Sequence, residues 1–499
     1  MSEKRKQVVF IMCDTVNKNM ISCYDDPVCK TENLENLAEE AAVFENAYTC
    51  QPVCGPARSA IFTGLYPSSN GMYSNGMQLG ANVKTAGQRI SEAGIHSAYV
   101  GKWHLDGGDY FGKGICPDGY DPDYWYDMRN FLDEMETPEQ RAKSRKNMAA
   151  HFFGDDIKEE DTYAHRCVDR AIDFVEKFSD EDFYLTLSLD EPHDPSVCPV
   201  EWQKEMRESE YKLRKQPNTN AKLDDKPDIQ QMWHDKYKFI PYQGIFFGYN
   251  RGMLACNMFA DYEIGRLLDV VYKKLDNPLI IYTADHGDMC MAHGLLSKGA
   301  CMYNETNNVP LIISGDGFKN RRVNTPVSHV DLLPTILDYF GIAIPPHLEG
   351  ESLYKLKGDN EKRDVFAEFF RFEIEQDSNL GYQPIRNIFD GRYKLNINLH
   401  SSDELYDLEQ DPYELKNLIQ DDSYAQIRDS LHDRLLERMN RTRDPMRGYV
   451  WKCRPWRKDK KPSFDDDGFE RQLNDGEEIR LTYSTGNPTT DFVRKKGLK

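Results

Sequence analysis

The segment from Cys54 to Arg58, with the sequence CGPAR, places a nucleophile and a cation one helical turn apart. Pro56 suits the first turn of a helix, because the N–H that proline lacks would have no partner there. Gly64 can end the helix. Cys54 would then lie at the helix N-terminus, where free N–H groups and the helix dipole favour anions. Alone, the segment is better explained by a capped helix with a buried thiol and a surface arginine.

Chemically capable side chains also follow four predicted strands. In open α/β sheets, ligands bind beyond the carboxyl ends of the strands. One such coincidence would mean little, but four predict a single convergent site. The side chains delivered in this way are Asp14, Lys102, His104, His193, Asp285 and His286.

The elements that must position these side chains predict an α/β fold with a large, mainly parallel sheet flanked by helices. Its predicted strands are short apolar runs, as expected for strands covered on both faces. They are Val8–Met12, His96–Val100, Phe183–Leu189, Leu279–Ala284 and Val309–Ser314. Predicted helices include Asn33–Ala42 and Asp331–Phe340, the latter ending at Gly341.

Two domains are expected, a catalytic domain over residues 1–360 and a smaller α+β domain over residues 361–499. Residues 118–165 and 194–245 are rich in charge and in Pro, Asn and Asp, which predicts insertions that carry specificity. In the second domain, a turn at Asp390-Gly391 feeds a strand, residues 404–408 form another, and Ser423–Arg441 has helical spacing. We expect the tail beyond Pro445 to wrap its own domain or a neighbouring subunit, so an oligomer is possible.

Composition narrows the partners. The chain has 499 residues, a net charge of −20 and a pI of about 5.1. Such an acidic protein repels long polyanions, so nucleic acid is not an expected partner. The apolar run after Lys6 is too short for a signal peptide, and no run reaches the length of a membrane span. Twelve cysteines without a CxxC pair indicate a reducing compartment, so we expect a cytoplasmic protein.

Several motifs now carry a resemblance to one family. The chain resembles the formylglycine-dependent type I sulfatases of the alkaline phosphatase superfamily, in their cysteine-type, intracellular bacterial branch. The resemblance implies an alkaline-phosphatase-like fold with a small C-terminal domain containing a short antiparallel sheet. The matching stretches run in family order: CGPAR at 54–58, TGLYP at 63–67, GKWHL at 101–105, TADHGD at 283–288, Lys298-Gly299, DLLPT at 331–335, ELYDL at 404–408 and DPYE at 411–414.

The resemblance further implies that a separate maturase oxidises Cys54 to formylglycine. A hydrated aldehyde offers two hydroxyls on one carbon, one to attack sulfur and one to help expel sulfate. The family's divalent metal ligands match Asp14, Cys54, Asp285 and His286, and the usual ion is calcium. Many sulfatases carry a second Asp after the first, where this chain has Thr15. That departure bears on metal affinity and identity.

The remaining roles are carried over from the same motifs. Lys102 and Lys298 match the sulfate-binding lysines, and Arg58 matches the residue that holds the formylglycine. His104 matches the histidine that deprotonates the second hydroxyl. His193 matches the histidine that protonates the departing alkoxide.

Three functions stay open from the sequence. The first is hydrolysis of a sulfate ester of a small sulfated sugar, with exo-action on a carbohydrate 6-sulfate as one possibility. The second is hydrolysis of phosphonate monoesters or phosphodiesters, favoured by the absent second Asp. The third is a sulfated-glycan-binding protein whose Cys54 is never modified. The presence of both His104 and His193 argues against the third, because binding alone needs neither.

Overall fold

A computed structural model describes residues 5–25, 27–108, 110–134, 157–205, 216–219, 221–237, 244–373 and 381–459. The chain divides into two units, Met1–Pro445 and Met446–Lys499. The three sheets of the described residues and every predicted site residue belong to the first unit. In the described part of the second unit, a short helix is stabilised by Trp451, whose indole N–H donates to the carbonyl of Met446. The predicted boundary at residue 360 stays a prediction.

A seven-stranded sheet forms the centre of the first unit. The strands described before residue 330 are β1 (Gln7–Asp14), β2 (Ala42–Phe44), β3 (Ala47–Tyr48), β4 (His96–Gly101), β5 (Phe183–Pro192), β6 (Leu279–Ala284), β7 (Leu311–Ser314), β8 (Arg321–Val323) and β9 (Val327–Ser328). The order in the sheet is β4-β5-β1-β6-β7-β2-β8. The pairs β4–β5, β5–β1, β1–β6 and β2–β8 are parallel, while β6–β7 and β7–β2 are antiparallel. Short strands β3 and β9 pair separately.

Helices cover the sheet because its central strands are apolar on both faces. Every residue of β1, β5 and β6 is buried, so each strand needs a covering layer on either side. The described helices of the first unit are α1 (Glu32–Glu39), α2 (Cys54–Thr63), α3 (Pro67–Asn70), α4 (Ala86–Glu92), α5 (Met128–Glu134), α6 (Tyr163–Phe178), α7 (Asp228–Tyr237), α8 (Gly244–Lys274), α9 (Asn304–Asn307), α10 (Leu332–Phe340) and α11 (Ala425–Arg441). The second unit contains α12 (Tyr449–Lys452). No helix in these described ranges is long and apolar enough to cross a membrane.

The predicted small antiparallel sheet is confirmed. Strands β10 (Val365–Phe369), β11 (Ile385–Phe389), β12 (Tyr393–Asn398) and β13 (Glu404–Asp407) form a four-stranded meander. The predicted turn at Asp390-Gly391 joins β11 to β12, and Gly391 takes a φ of +100° that favours glycine. Helix α11 follows β13 and begins at Ala425, two residues after its predicted start.

Several element bounds differ from the predictions, among them the longer strands β1, β4 and β5. Three other differences have local reasons. Strand β7 begins at Leu311 rather than Val309, and Pro310, which has no N–H to donate to a ladder, precedes it. Helix α1 ends at Glu39, because Ala42 pairs with Ile313 of the sheet. Helix α10 begins at Leu332, after a 3₁₀ turn.

The two predicted insertions are described only in part. The first contains α5 and the second contains α7, while residues 135–156, 206–215, 220 and 238–243 lie outside the described residues. Of the tail, residues 460–499 lie outside them as well. The assignment of these stretches as specificity-bearing insertions stays a prediction.

Candidate active site

The strand ends converge as the sequence predicts. Strand β1 ends at Asp14, β4 ends immediately before Lys102, and β6 ends immediately before Asp285. Gly101 makes this arrangement possible. It has a φ of +117°, and a Cβ there would lie 1.9 Å from the carbonyl oxygen of Ser188. Any larger residue would therefore push β4 away from β5 and displace Lys102 from the site.

Helix α2 places Cys54 at its first residue, and Gly64 ends the helix with a φ of +68°. The backbone N–H of Gly55 lies in the first turn and so has no acceptor within the helix. It donates instead to Oδ1 of Asn75 at 2.8 Å. This bond fixes the start of the helix against a neighbouring loop. The predicted helix, with Cys54 at its N-terminus and Gly64 at its end, is thus confirmed. The alternative of a surface arginine is wrong, because Arg58 is fully buried.

Arg58 holds the two buried aspartates in place. Its Nη2 lies 2.9 Å from Oδ2 of Asp14, and its Nε lies 3.0 Å from Oδ2 of Asp285. Its Nη1 donates to the carbonyl of Lys102 and to the hydroxyl of Ser188. One guanidinium therefore ties together α2 and the ends of three strands. The role predicted from the family, a contact with the modified residue 54, stays a prediction.

Four buried side chains bring one donor atom each to a common point. The donor atoms of Asp14, Cys54, Asp285 and His286 all lie within 4.8 Å of one another. Sγ of Cys54 lies 3.2 Å from Nε2 of His286 and 3.8 Å from Oδ1 of Asp14. The Nδ1 atom of His286 faces the carbonyl of Gly287 at 2.9 Å, which leaves Nε2 free to bind a metal.

This tetrad fits a divalent cation. Burial first, and then the negative charge of Asp14, raise the pKa of Asp285 to about 6 despite the nearby Arg58. The Asp285 carboxylate therefore lacks compensating positive charge, whereas, against the effect of burial, Lys102, His193 and Arg58 hold the pKa of Asp14 well below its usual value. A bound cation would supply the missing charge at Asp285. The donor set mixes two carboxylates with one imidazole, so it suits several divalent ions.

Thr15 shapes the tetrad although it brings no charge. Its φ is +68°, an uncommon value for a β-branched residue. In this conformation its N–H donates to Oδ1 of Asp285 at 3.2 Å and its hydroxyl donates to Oδ1 of Asp14 at 2.7 Å. The residue that replaces the family's second aspartate therefore orients the two carboxylates that remain.

The charges around Cys54 favour its ionised thiolate, unlike the surroundings of the buried thiol of Cys50. Burial and the Asp14 carboxylate oppose its ionisation, but Lys298, Lys102 and His286 hold its pKa well below the usual value. Cys50, only four residues earlier, shows the opposite, because burial raises the pKa of its thiol. Cys54 is thus placed where a negative charge is stabilised, as the chemistry predicted for residue 54 requires.

Two lysines supply much of that positive charge. Nζ of Lys102 lies 2.7 Å from Oδ2 of Asp14 and 3.1 Å from Oδ1 of Asp190. Burial opposes its charge, yet Asp14 and the other anionic neighbours raise its pKa well above the usual value. Burial likewise opposes the charge of Lys298, and the negative charges of Cys54 and Asp14 raise its pKa. Both ammonium groups can therefore bind an anion next to Cys54.

The two predicted catalytic histidines have different environments. Burial lowers the pKa of the His104 ring, as do the charges of Lys102 and Arg58, against the opposing effect of Cys54. For His193, burial and the two lysines oppose protonation, yet the carboxylates of Asp194 and Asp14 raise the pKa of the ring. His104 is therefore suited to accept a proton and His193 to donate one.

Two residues of the site escaped sequence reasoning. Tyr110 donates a hydrogen bond to Oδ1 of Asp190, and its hydroxyl lies 3.3 Å from Nδ1 of His193. Its ring lies under Nζ of Lys102, 4.3 Å from the ring centre. Asp190 stands in a strand-end segment that the sequence singled out, three residues before His193, so spacing could have found it. Tyr110 lies in a glycine-rich loop, and no motif marks it.

A cavity of about 420 Å³ opens onto Cys54. His104, His193 and Lys298 line it, so the nucleophile, both predicted proton-transfer groups and one cation share one space. Nζ of Lys298 lies 3.0 Å from Nε2 of His193. The structure thus brings together all the site residues predicted from the sequence, while their individual roles stay predictions. A small ester can enter such a cavity, and its anionic end would meet the lysines.

Comparison with known proteins places this arrangement in a family. The sulfatase family profile matches residues 6–342, and the profile for the C-terminal region of N-sulphoglucosamine sulphohydrolase matches residues 292–441. An uncharacterized sulfatase of Escherichia coli K12, YidJ, is 41% identical over 492 residues, which cover 97% of either chain.

More distant relatives differ in their named substrates. The choline-sulfatase of Rhizobium meliloti is 26% identical, with 84% of this chain and 83% of the relative covered. The N-acetylglucosamine-6-O-sulfatase of Bacteroides thetaiotaomicron is also 26% identical, with 88% and 87% covered.

Among solved structures, a phosphonate monoester hydrolase from Silicibacter pomeroyi superposes with a TM-score of 0.74 at 19% identity, covering 88% of this chain and 96% of that one. This likeness shows the fold, and it confirms the predicted alkaline-phosphatase-like architecture. Together, the matched profiles and the site built around Cys54 establish that the chain belongs to the sulfatase family and is a sulfuric ester hydrolase.

Proposed function

We propose that the enzyme hydrolyses a sulfate ester of a small carbohydrate, using formylglycine made from Cys54 and one divalent metal ion. One observation carries the proposal. Among the cysteines that the structure describes, Cys54 is the one grouped with two carboxylates and His286 that could hold a metal ion, and, despite its burial, two lysines lower its pKa. A buried thiol with no chemical role would not need such a concentration of positive charge.

The cation would be held by Asp14, Asp285, His286 and residue 54. When present, formylglycine supplies a hydroxyl nucleophile, and the metal ion lowers the pKa of that hydroxyl. We favour calcium, the ion expected from the family resemblance, although His286 also suits softer divalent ions. A maturase that produces the aldehyde is a required partner in this proposal.

The remaining residues bind the sulfate and move protons. Lys102 and Lys298 bind non-bridging sulfate oxygens and offset the charge that rearranges as the ester bond breaks. His193 gives a proton to the departing alkoxide, so that it leaves as the neutral alcohol. His104, held unprotonated by its lowered pKa, accepts a proton from residue 54. Overall, water and the ester give the alcohol and hydrogen sulfate.

Mass spectrometry after co-expression with a formylglycine-generating maturase tests the proposal. We expect the peptide that contains Cys54 to carry the mass of the aldehyde instead of the thiol, and the protein to hydrolyse 4-nitrophenyl sulfate. Cys54→Ala removes the activity, whereas Cys50→Ala provides a matched control at a buried thiol and keeps it. Full turnover by Cys54→Ala would refute the proposal.

A second activity, phosphonate monoester or phosphodiester hydrolysis, is favoured by Thr15. With no carboxylate at that position, the tetrad holds one negative charge fewer than the sulfatases that have two successive aspartates. The missing carboxylate changes the metal site, on which the relative rates for the three ester classes depend. Comparing kcat/KM for aryl sulfate, aryl phosphonate and phosphodiester esters decides between the two. A preference for sulfate of a hundredfold or more would exclude the second as the main activity.

The carbohydrate assignment rests on two supports. One is the name of the Bacteroides relative, an N-acetylglucosamine-6-O-sulfatase. The other is the net charge of −20, which weakly favours short sulfated sugars over long polyanionic chains. Exo-action on a 6-sulfate and a cytoplasmic location belong to the same proposal. Screening defined sulfated mono- and disaccharides, with choline sulfate as the non-sugar alternative, tests it directly.

A further inference from the structure

Three aromatic rings form a continuous strip on the surface of the first unit. Phe370 lies at its centre and is buried, while Tyr73 and Tyr382 flank it and are 37% and 40% exposed. The ring centres of Tyr73 and Phe370 are 5.4 Å apart, and those of Phe370 and Tyr382 are 6.2 Å apart. Large exposed aromatic side chains are uncommon on a protein surface, and a contiguous group of them often marks a binding site.

The strip continues directly from the catalytic cavity. Asn75 and Phe372 line that cavity, and the backbone N–H of Asn75 donates to the carbonyl of Phe372 at 3.1 Å. Tyr73 lies two residues before Asn75, and Phe370 lies two residues before Phe372. Gln51 fastens the first of these segments, because its side-chain amide donates to the carbonyl of Tyr73 at 2.9 Å.

Chain geometry limits the distance from cavity to strip. Two residues span at most about 7 Å, so the strip begins within roughly the length of one pyranose ring from the cavity wall. Tyr382 is fixed to the same place, since the N–H of the next residue, Gln383, donates to the carbonyl of Phe370 at 2.6 Å. A ring held in the cavity would therefore carry its neighbour over the strip.

The charges around the strip select among possible neighbours. The Arg386 guanidinium lies 4.3 Å from the centre of the Phe370 ring, but its charge is balanced by Asp444, to which it donates two hydrogen bonds. Glu373, which pairs with Asn75 in a β-bridge, and Asp194 both line the cavity next to which the strip begins. A uronic acid or a second sulfate at this position would meet these carboxylates, whereas an uncharged sugar would not.

We propose that Tyr73, Phe370 and Tyr382 form a subsite for an uncharged sugar residue joined to the sulfated one. Resting on the proposed function, this subsite makes the substrate at least a disaccharide. The exposed faces of the two tyrosines pack against the apolar C–H face of a pyranose ring, as aromatic rings do with flat, partly apolar ligands. The neighbouring ring thereby orients the ester toward Cys54 and lowers KM.

Kinetics with substrates of two lengths test the subsite. The probes are 4-nitrophenyl sulfate, a panel of sulfated monosaccharides, and the disaccharides in which each is joined to one unsulfated hexose. For wild type we expect the best disaccharide to have a higher kcat/KM than its monosaccharide. Tyr73→Ala and Tyr382→Ala should each lower the disaccharide value about fivefold, equivalent to about 1 kcal/mol. Neither should change the value for 4-nitrophenyl sulfate by more than about twofold.

Matched variants separate ring stacking from general effects. Tyr73→Phe keeps the ring and should behave as wild type, so a loss in this variant would contradict stacking. Tyr272→Ala removes a more accessible tyrosine, 55% exposed near the end of α8, and should change nothing. The loss should appear in KM for the disaccharide, while kcat stays close to the wild-type value.

A binding measurement keeps the subsite distinct from the catalytic proposal. Calorimetry with Cys54→Ala protein measures the affinity for each disaccharide without turnover. Weaker binding in Tyr73→Ala and Tyr382→Ala supports the subsite even if the hydrolysis mechanism fails. Disaccharides that bind and react no better than their monosaccharides overturn it, as does a self-association that is lost in the same two variants.

Discussion

The hydroxyl of Tyr110 donates a hydrogen bond to Oδ1 of Asp190, the same oxygen that lies 3.1 Å from Nζ of Lys102. Through this one carboxylate, Tyr110 fixes Lys102, and the same hydroxyl lies 3.3 Å from Nδ1 of His193. A buried hydrogen bond to a charged group contributes about 1.5–3 kcal/mol. Tyr110 is therefore a positioning residue for the cationic half of the site.

Tyr110→Phe should lower kcat about 10- to 100-fold, because it removes the hydroxyl and leaves the ring beneath Lys102. Steady-state kinetics with 4-nitrophenyl sulfate measures the change. Tyr354→Phe is the matched control, since the Tyr354 hydroxyl also bonds an aspartate, Asp316, at 3.0 Å, away from the cavity. Equal losses in the two variants would show that the effect is structural.

Motifs and strand ends in the sequence identify most residues of the site. Asp14, Lys102 and Asp285 follow buried strands directly, so their meeting at one sheet edge follows from parallel topology alone. Cys54 is recognisable only when its place at a helix start is combined with the strand-end side chains and the family motifs. These signals are local, and local signals survive without knowledge of the tertiary structure.

Long-range contacts explain what the sequence could not predict. Tyr110 reaches the site only because a loop without periodicity folds back across 80 residues to Asp190. The aromatic strip joins Tyr73 to Phe370, nearly 300 positions apart, and neither residue stands in a motif. Arg58 was assigned from the family to residue 54, whereas its hydrogen bonds to Asp14 and Asp285 depend on the packed arrangement of α2 against the sheet.

The raised pKa of His193 predicts where activity falls with pH. A general acid must carry its proton, and His193 holds it above the ordinary value of 6.5 because Asp194 and Asp14 outweigh the nearby lysines. Activity on an alkyl sulfate should therefore persist through pH 6.5 and decline as the pH rises through the higher pKa of His193. A pH profile of kcat for wild type measures this alkaline limb.

His193→Gln should remove that alkaline limb and discriminate between leaving groups. We expect kcat for a sugar or alkyl sulfate to fall about 10²- to 10⁴-fold, the usual contribution of a positioned acid. The loss for 4-nitrophenyl sulfate should be much smaller, because its leaving group needs no proton. His347→Gln, at an exposed histidine, is the control. Equal losses for both leaving groups would assign His193 a role other than proton donation.

Thr15→Asp should strengthen calcium binding about tenfold, because a third carboxylate adds one negative charge to the cation site. Aspartate also tolerates the φ of +68° at this position better than threonine does. Calorimetric titration of Cys54→Ala protein with Ca²⁺ measures affinity independently of turnover. Thr15→Asn is the neutral control of similar shape, and equal affinities of the Asp and Asn variants would show that charge at residue 15 does not govern the metal.

The ion pair between Arg363 and Asp331 should dominate the attachment of the small sheet to α10. Both oxygens of the fully buried Asp331 carboxylate accept from the guanidinium at 2.7 Å, immediately before β10 begins. Arg363→Ala leaves that carboxylate buried without its cation, so we expect the free energy of unfolding to fall by about 3–5 kcal/mol in urea denaturation. Lys84→Ala breaks an ion pair with Glu92 in which both side chains are more than half exposed. Lys84→Ala should lower the free energy of unfolding by less than about 1 kcal/mol. Similar losses in the two variants would mean that water reaches Asp331 when Arg363 is removed.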